Sequence, residues 1–171
     1  TSGVVRMIAW VPFLGTEGVL NSTLMSIGLV DEPLQMLLFS EFAVILSYVH
    51  MFTLFMVAPL FNVMARINPS LIEAAKDQGA KGWQILMFII IPMSKPGIII
   101  GTIFIVALVA TDYTAIRILS GAQSGSIANS ISVAFFNGFF PPAAAQSIIL
   151  LIILLFFVGG LMRVVDIRKQ M

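Results

Sequence analysis

Polar side chains that could do chemistry are scarce in this sequence, and a few of them lie in or beside long apolar runs. His50, the single histidine, stands within one such run, and Asp112 follows another run directly before Tyr113. A carboxylate with an aromatic neighbour can hold an ammonium group by charge and by cation–π attraction. Ionisable residues inside a membrane are functional candidates by default. The candidate residues of a solute pathway are Asp112, Tyr113 and His50.

Asp112 and His50 also have purely structural interpretations. Asp112 can be a helix-end carboxylate in contact with interfacial water, or the partner of Arg117. His50 can be a neutral side chain that hydrogen-bonds a neighbouring helix. A lone histidine without a second ligand makes a poor metal site, and the chain has no cysteine to supply a thiolate. The sequence therefore predicts no catalytic residue, no metal and no cofactor.

Residues 66–92, which we call the polar loop, hold five charged side chains between long apolar runs and open with strong helix-start signals. Asn68 can cap a helix that has Pro69 at its first position. Ser70 and Glu73 fit a capping box instead, because they stand three residues apart. Both signals predict a short helix at the beginning of the polar loop.

The second part of the polar loop predicts a turn and another helix. Gly79 fits the left-handed stop that ends a helix. A second short helix should begin near Ala80, and Pro92 and Pro96 should break the helix beyond it, because each removes a backbone donor. Such a shape can fit a cleft in a soluble partner. The apolar contact would come from Leu71, Ile72, Ala74 and Ala75, and the charge complementarity from Glu73, Lys76 and Asp77.

The elements that position these residues are apolar enough to lie in a membrane. The chain is 59% hydrophobic and 10% charged, whereas a soluble domain carries about 25% charged residues. Three runs can span a bilayer as helices, namely residues 42–64, 97–110 with a continuation to 116, and 143–162. Their apolar positions do not alternate, which disfavours a β-barrel. The predicted class is an all-α integral membrane protein with three full transmembrane helices.

The N-terminal segment is predicted to be a partial span. Its apolar run is interrupted by Arg6 and Pro12 and is too short to cross a bilayer. We interpret it as the tail of a membrane segment whose beginning is missing, or as an interfacial helix. Residues 15–40 are expected to form one or two short helices at the outer surface.

The distribution of basic residues predicts the orientation, because cytoplasmic loops carry an excess of lysine and arginine. Basic residues on one side are Arg66, Lys76, Lys81 and Lys95 in the connection between the first two spans, and Arg163, Arg168 and Lys169 in the tail. The opposite side has only Arg6 and Arg117 as basic residues, and it carries the acidic residues Glu17, Asp31, Glu32, Glu41 and Asp112. The polar loop and the C-terminus are therefore predicted to be cytoplasmic.

The polar loop resembles the EAA loop of permease subunits in binding-protein-dependent ABC importers. The family pattern is E-A-A, a glycine four residues later, and then Ile-x-aliphatic-Pro. The matching residues are Glu73, Ala74, Ala75, Gly79, Ile89, Ile91 and Pro92, with Ile91 where leucine is common. The resemblance implies that residues 66–92 form a cytoplasmic coupling helix and loop that docks on an ATPase subunit. The residues assigned to docking are Glu73, Ala74, Ala75, Asp77, Gly79 and Pro92.

The rest of the chain is similar to the polyamine-type permeases, which carry spermidine and putrescine. The similarity rests on Ala9-Trp10, Gly18, Asn21, Gly28-Leu29, Asp31-Glu32-Pro33, Pro59-Leu60 and Asp112-Tyr113. Permeases for iron(III), sulfate and phosphonates share parts of this pattern and stay open as alternatives. The resemblance implies that residues 1–171 are the C-terminal part of one transmembrane permease domain in the bacterial inner membrane, crossing it several times.

The resemblance also implies the partners. They are an ATP-binding cassette ATPase dimer, a second permease subunit, a periplasmic or extracellular solute-binding protein and membrane lipid, with no nucleic acid. The chain itself would be non-catalytic, which agrees with the absence of a G-x-x-x-x-G-K-[ST] sequence. Two other classes fit less well. An ion-coupled carrier places several ionisable residues in its spans, and an intramembrane enzyme needs a nucleophile–base pair or a metal cluster there.

Overall fold

The computed structural model describes residues 2–34, 37–121 and 125–164, and helices dominate these ranges, which contain no β-strand. The elements in chain order are α1 (Ser2–Leu14), α2 (Val19–Ser26), α3 (Glu41–Met64), α4 (Pro69–Asp77), α5 (Gly82–Ile85), a π-helical turn (Leu86–Ile90), α6 (Ile91–Thr111), α7 (Thr114–Leu119), α8 (Ile127–Phe136) and α9 (Phe140–Val164). Arg168 and Lys169, on which the predicted orientation partly rests, lie outside the described residues.

Four segments of the described chain are long and apolar enough to cross a membrane, which confirms the predicted class. They are Gly3–Ser26, Glu41–Met64, Gly82–Thr111 and Phe140–Arg163. The N-terminal one is longer than the predicted partial span because α2 follows α1 after a short turn. Pro12 does not interrupt α1, since it lies near the end of that helix.

The second predicted span ends earlier than expected. The sequence predicted a helix that continues to residue 116, but α6 stops at Thr111 and α7 begins at Thr114. The cause is the Asp112 side chain, whose Oδ1 accepts a hydrogen bond of 2.9 Å from the Thr114 backbone N–H. An aspartate that bonds the backbone two residues ahead favours a turn over a continuing helix.

The prediction that Pro92 and Pro96 break the helix is wrong. The backbone runs from Gly82 to Thr111 as one helical segment, with both prolines in α6. The π-helical turn directly before them gives the physical reason. Its wider ring is closed by the Ile91 N–H, which donates to Leu86 O. A π turn interrupts the regular hydrogen bonds between residues four apart. It can therefore precede a proline, which has no backbone N–H to donate.

The described chain divides into two compact units. Residues 1–53 with 108–152 form unit 1, and residues 54–107 with 153–171 form unit 2. Unit 1 has a small hydrophobic core where α1 packs against α7. Its buried members are Met7, Leu14, Ala43, Val44, Ala115, Ile116 and Leu119.

Asn21 holds the segment from Gly15 to Leu34 in place. It is fully buried, and its amide nitrogen donates to Gly15 O at 3.0 Å and to Leu34 O at 3.2 Å. Its amide oxygen accepts from the Leu34 N–H at 2.8 Å. Leaving one such buried polar group without a partner costs about 1–3 kcal/mol. The turn after α1 therefore depends on this side chain.

Unit 2 is organised by a close approach of α3 and α6. A Cβ built on Gly97 would lie 2.9 Å from Pro59 O and 3.0 Å from Leu60 Cα. One built on Gly101 would lie 2.5 Å from Met56 Sδ. Small residues at this spacing let two membrane helices pack backbone to backbone. The contact sets the positions from which the polar loop departs and returns.

Candidate functional site

The polar loop begins with a helix that is capped as one of the two sequence signals predicted. Asn68 Oδ1 accepts a hydrogen bond of 3.0 Å from the Ser70 N–H, and Pro69 occupies the first position of α4. The asparagine cap therefore forms, and the alternative capping box from Ser70 to Glu73 is not the one used. Because α4 has its own cap, its start does not depend on packing against the spans.

α4 ends, as predicted, in a turn at Gly79, which two backbone hydrogen bonds close. Gly79 has φ +84°, its N–H donates to Lys76 O at 2.8 Å, and the Ala80 N–H donates to Ala75 O at 3.0 Å. This pair of bonds is the Schellman arrangement, which requires a left-handed residue just past the helix. The glycine thus reverses the chain and satisfies two carbonyls that a bare helix end would leave open.

The second helix of the polar loop starts at Gly82, two residues later than predicted. Gln84 Oε1 accepts a hydrogen bond of 2.7 Å from the Lys81 N–H, which fixes the entry of the chain into α5. Between α4 and α5 lies a concave cleft of about 360 Å³. Its apolar walls come from Ala75, Ala80 and Ile85, so the predicted helix–turn–helix has a hollow on one side.

The exposed face of α4 carries the charges. No residue of α4 is buried, and Leu71 is 45% exposed although it is apolar. Glu73, Lys76 and Asp77 are exposed alongside it. A short helix with both apolar and charged groups open to solvent has the chemistry of a protein-docking element.

The structure separates the six predicted docking residues into two groups. Exposed positions on α4 and its stop are Glu73, Ala74, Asp77 and Gly79, while Ala75 is half-buried at the cleft. Pro92 lies apart from them, because α5 and the π turn come between it and α4. Its position in α6 connects it to the span rather than to the exposed helix.

The predicted pathway residues all lie in unit 1, but no hydrogen bond or ion pair joins them within the described chain. Asp112 is half-buried, and Tyr113 is 37% exposed. His50 is exposed on α3 and meets the ring of Trp10 edge-on, with ring centroids 5.6 Å apart. No group of three metal-ligating side chains comes together in the part of the chain that the structure describes.

Tyr48 is a pathway candidate that the sequence interpretation missed. It lies on α3, stacks on Phe52 with ring centroids 5.5 Å apart, and interacts electrostatically with the Asp112 carboxylate. Tyr48 Oη and Asp112 Oδ2 are both buried, yet neither has a hydrogen bond of normal geometry. Spacing along the chain gave no signal for this pair, because Tyr48 and Asp112 lie far apart in the sequence.

Comparison with known families identifies the class. The family described as binding-protein-dependent transport system inner membrane component matches residues 2–170. The chain belongs to this family of membrane permease components, and its four apolar segments agree with several membrane crossings.

Individual relatives are named for particular transport systems. The spermidine/putrescine transport system permease protein PotB of Escherichia coli K12 is 35% identical over 137 residues, covering 80% of this chain and 50% of that protein. PotB of Haemophilus influenzae is 31% identical over 135 residues, covering 79% and 47%. The inner membrane ABC transporter permease protein YdcU of E. coli K12 is 27% identical over 157 residues, covering 79% and 50%. The chain spans about half the length of these relatives.

Proposed function

We propose that this chain couples solute import to ATP hydrolysis by docking a separate ATPase through the polar loop. The observation that carries the proposal is α4, an exposed helix with its own cap and a glycine-based stop. Its shape is defined by local bonds, so it can move as one body with a partner. The membership in the permease family supports the class of process.

The chemistry of docking follows from α4. Glu73 and Asp77 stand one helical turn apart, so they share a face and present two negative charges to a partner. We assign to the ATPase a cleft with a complementary basic residue. Ala74 and Ala75 permit close approach, because their side chains are small.

We further propose a polyamine as the solute. Support comes from the spermidine/putrescine permeases to which the chain is similar. Chemical support comes from the Asp112 carboxylate, which interacts with the Tyr48 hydroxyl and can accept a hydrogen bond from an ammonium group. Tyr113 and His50 are proposed as further residues of the same pathway.

Docking is tested by reversing one charge on α4. In the assembled transporter, Glu73→Lys should weaken ATPase co-purification about tenfold or more, because a matched charge becomes repulsive. Solute uptake should fall in parallel. Glu17→Lys makes the same charge change at an exposed position in unit 1 and should leave co-purification unchanged. Retention of both ATPase and uptake by Glu73→Lys would refute the docking role.

The solute is tested separately. Asp112→Asn should raise the apparent KM for spermidine about tenfold, because a charge-assisted hydrogen bond is worth about 1.5–3 kcal/mol. Tyr48→Phe should have a smaller effect in the same direction. Glu17→Gln, also a loss of one exposed carboxylate, serves as the control. An unchanged KM in Asp112→Asn would remove Asp112 from the pathway without affecting the docking proposal.

A further inference from the structure

A groove between α3 and α6, within unit 2, is apolar along most of its length and polar at one end, so it matches the shape of an amphiphilic molecule. Its volume is about 800 Å³. The long walls are apolar, with Pro59 and Val63 contributed by α3 and Ile100 and Phe104 by α6. A cavity of this kind, at the depth of the membrane spans, is suited to alkyl chains because they can lie against aliphatic and aromatic side chains without losing hydrogen bonds.

The polar groups of the α3–α6 groove are at one end. Asn62 lies in the last turn of α3 and Arg66 just past the end of that helix, and both line the groove. Both side chains are exposed, and neither has a hydrogen bond or ion pair with another described residue. None of the residues that line the groove is acidic. Among the described residues that line the groove, the guanidinium therefore has no counter-charge.

An arginine at the end of an apolar groove favours an anion with a hydrocarbon body. The guanidinium can hold a phosphate with two parallel hydrogen bonds. Basic pockets between transmembrane helices on the cytoplasmic side are recurrent sites for anionic lipid headgroups. A neighbouring protein helix would cover the apolar wall but would leave Arg66 without a counter-charge, unless it also brought an acid.

We propose that the α3–α6 groove binds an anionic phospholipid of the cytoplasmic leaflet. The acyl chains lie along the wall formed by Pro59, Ile100 and Phe104. The phosphate contacts Arg66, and the Asn62 amide donates to the phosphate or to a glycerol ester oxygen. A lipid in this position fills the space beside the Gly97 contact and so supports the helix pair that carries the polar loop.

The experiment uses the assembled transporter in nanodiscs that contain phosphatidylcholine with phosphatidylglycerol. One of the two lipids carries a photoreactive diazirine in its acyl chain, and labelled peptides are identified by mass spectrometry. We expect phosphatidylglycerol to label the segment from Met93 to Phe104 several-fold more than phosphatidylcholine does. Arg66→Ala should abolish this preference, and Arg66→Lys should keep part of it because the charge remains.

Two further variants separate lipid binding from misfolding and from general charge effects. Asn62→Ala changes no charge and should weaken the preference two- to threefold. Arg163→Ala removes an arginine from the last turn of α9, outside the groove, and should leave the preference intact. Equal labelling by the two lipids would overturn the proposal, and so would an unchanged preference in Arg66→Ala. A photoreactive residue at position 100 that crosslinks to protein would assign the groove to another helix instead.

Discussion

Gly79 shows how the polar loop depends on a single backbone conformation. Nothing lies within 4 Å of a Cβ built on this residue, so a side chain there meets no steric obstacle. The obstacle is φ +84°, which an L-residue with a side chain adopts at a cost of about 1–2 kcal/mol. The glycine is required by conformation alone.

Replacing Gly79 with alanine should therefore loosen the turn between α4 and α5. We expect Gly79→Ala to lower uptake and ATPase co-purification severalfold while the protein still inserts into the membrane. Gly82→Ala is the matched control, since Gly82 also has open space around its Cβ position but no positive φ. Equal losses in the two variants would contradict the conformational explanation. Transport assays with quantified membrane protein provide the measurement.

The helix contact in unit 2 leads to a prediction at the scale of elements. A Cβ at Gly97 would press on backbone atoms of Pro59 and Leu60, which cannot rotate away. Gly97→Ala should therefore destabilise the protein by about 1–3 kcal/mol, seen as a lowered midpoint of thermal unfolding in detergent. Gly101→Ala should cost less, because its closest neighbour is the flexible Met56 side chain.

The matched control for this pair lies on α9. Gly160 has nothing within 4 Å of its Cβ position, and substitutions at such sites usually change stability by less than about 0.5 kcal/mol. An equal shift of the unfolding midpoint in Gly97→Ala and Gly160→Ala would show that backbone approach is not what Gly97 provides.

The π turn supplies a second prediction at this scale. Deleting Phe88 should convert the turn to regular α-helix and keep α5 in phase with α6, because the π turn already absorbs one residue. The polar loop would then keep its direction, so the deletion variant should retain most uptake. Phe88→Ala keeps the residue count and should also retain most uptake, because the side chain is largely exposed. Loss of transport in the deletion variant but not in Phe88→Ala would contradict the interpretation of the π turn as one absorbed residue.

The sequence predicted the elements whose causes are local. The Asn68 cap, the Gly79 stop and the spans Glu41–Met64 and Phe140–Arg163 follow from residue types at fixed spacing. It did not predict the π turn, because a helical turn that contains one extra residue has no characteristic amino-acid composition. It also placed the end of α6 too late, because the bond from Asp112 to the Thr114 N–H depends on side-chain geometry.

The candidate site was predictable to the same extent. The exposed residues of α4 were found because helix signals and charges lie close together in the sequence. Tyr48 was missed because its relation to Asp112 joins two distant parts of the chain. Partners that meet only in three dimensions cannot be read from spacing along a single sequence.

At the scale of the whole molecule, the prediction concerns orientation. The chain contains no cysteine, so single cysteines can be introduced as reporters at exposed serines. A membrane-impermeant maleimide should label Ser22→Cys from outside the inner membrane. It should reach Ser70→Cys only after the membrane is disrupted, because the charge distribution predicts that the polar loop is cytoplasmic. The reverse pattern would contradict the orientation and the docking proposal together.

The π turn also changes how the faces of this helix should be compared between proteins. In an unbroken α-helix, Ile85 would be rotated about 120° away from Gly97. With one residue absorbed by the wider turn, the rotation falls to about 20°, so the buried Ile85 comes into phase with the buried Gly97. A helical wheel drawn through residues 82–111 without this correction assigns the wrong side to α5. A relative that lacks the extra residue should therefore align here with a one-residue gap rather than with substitutions.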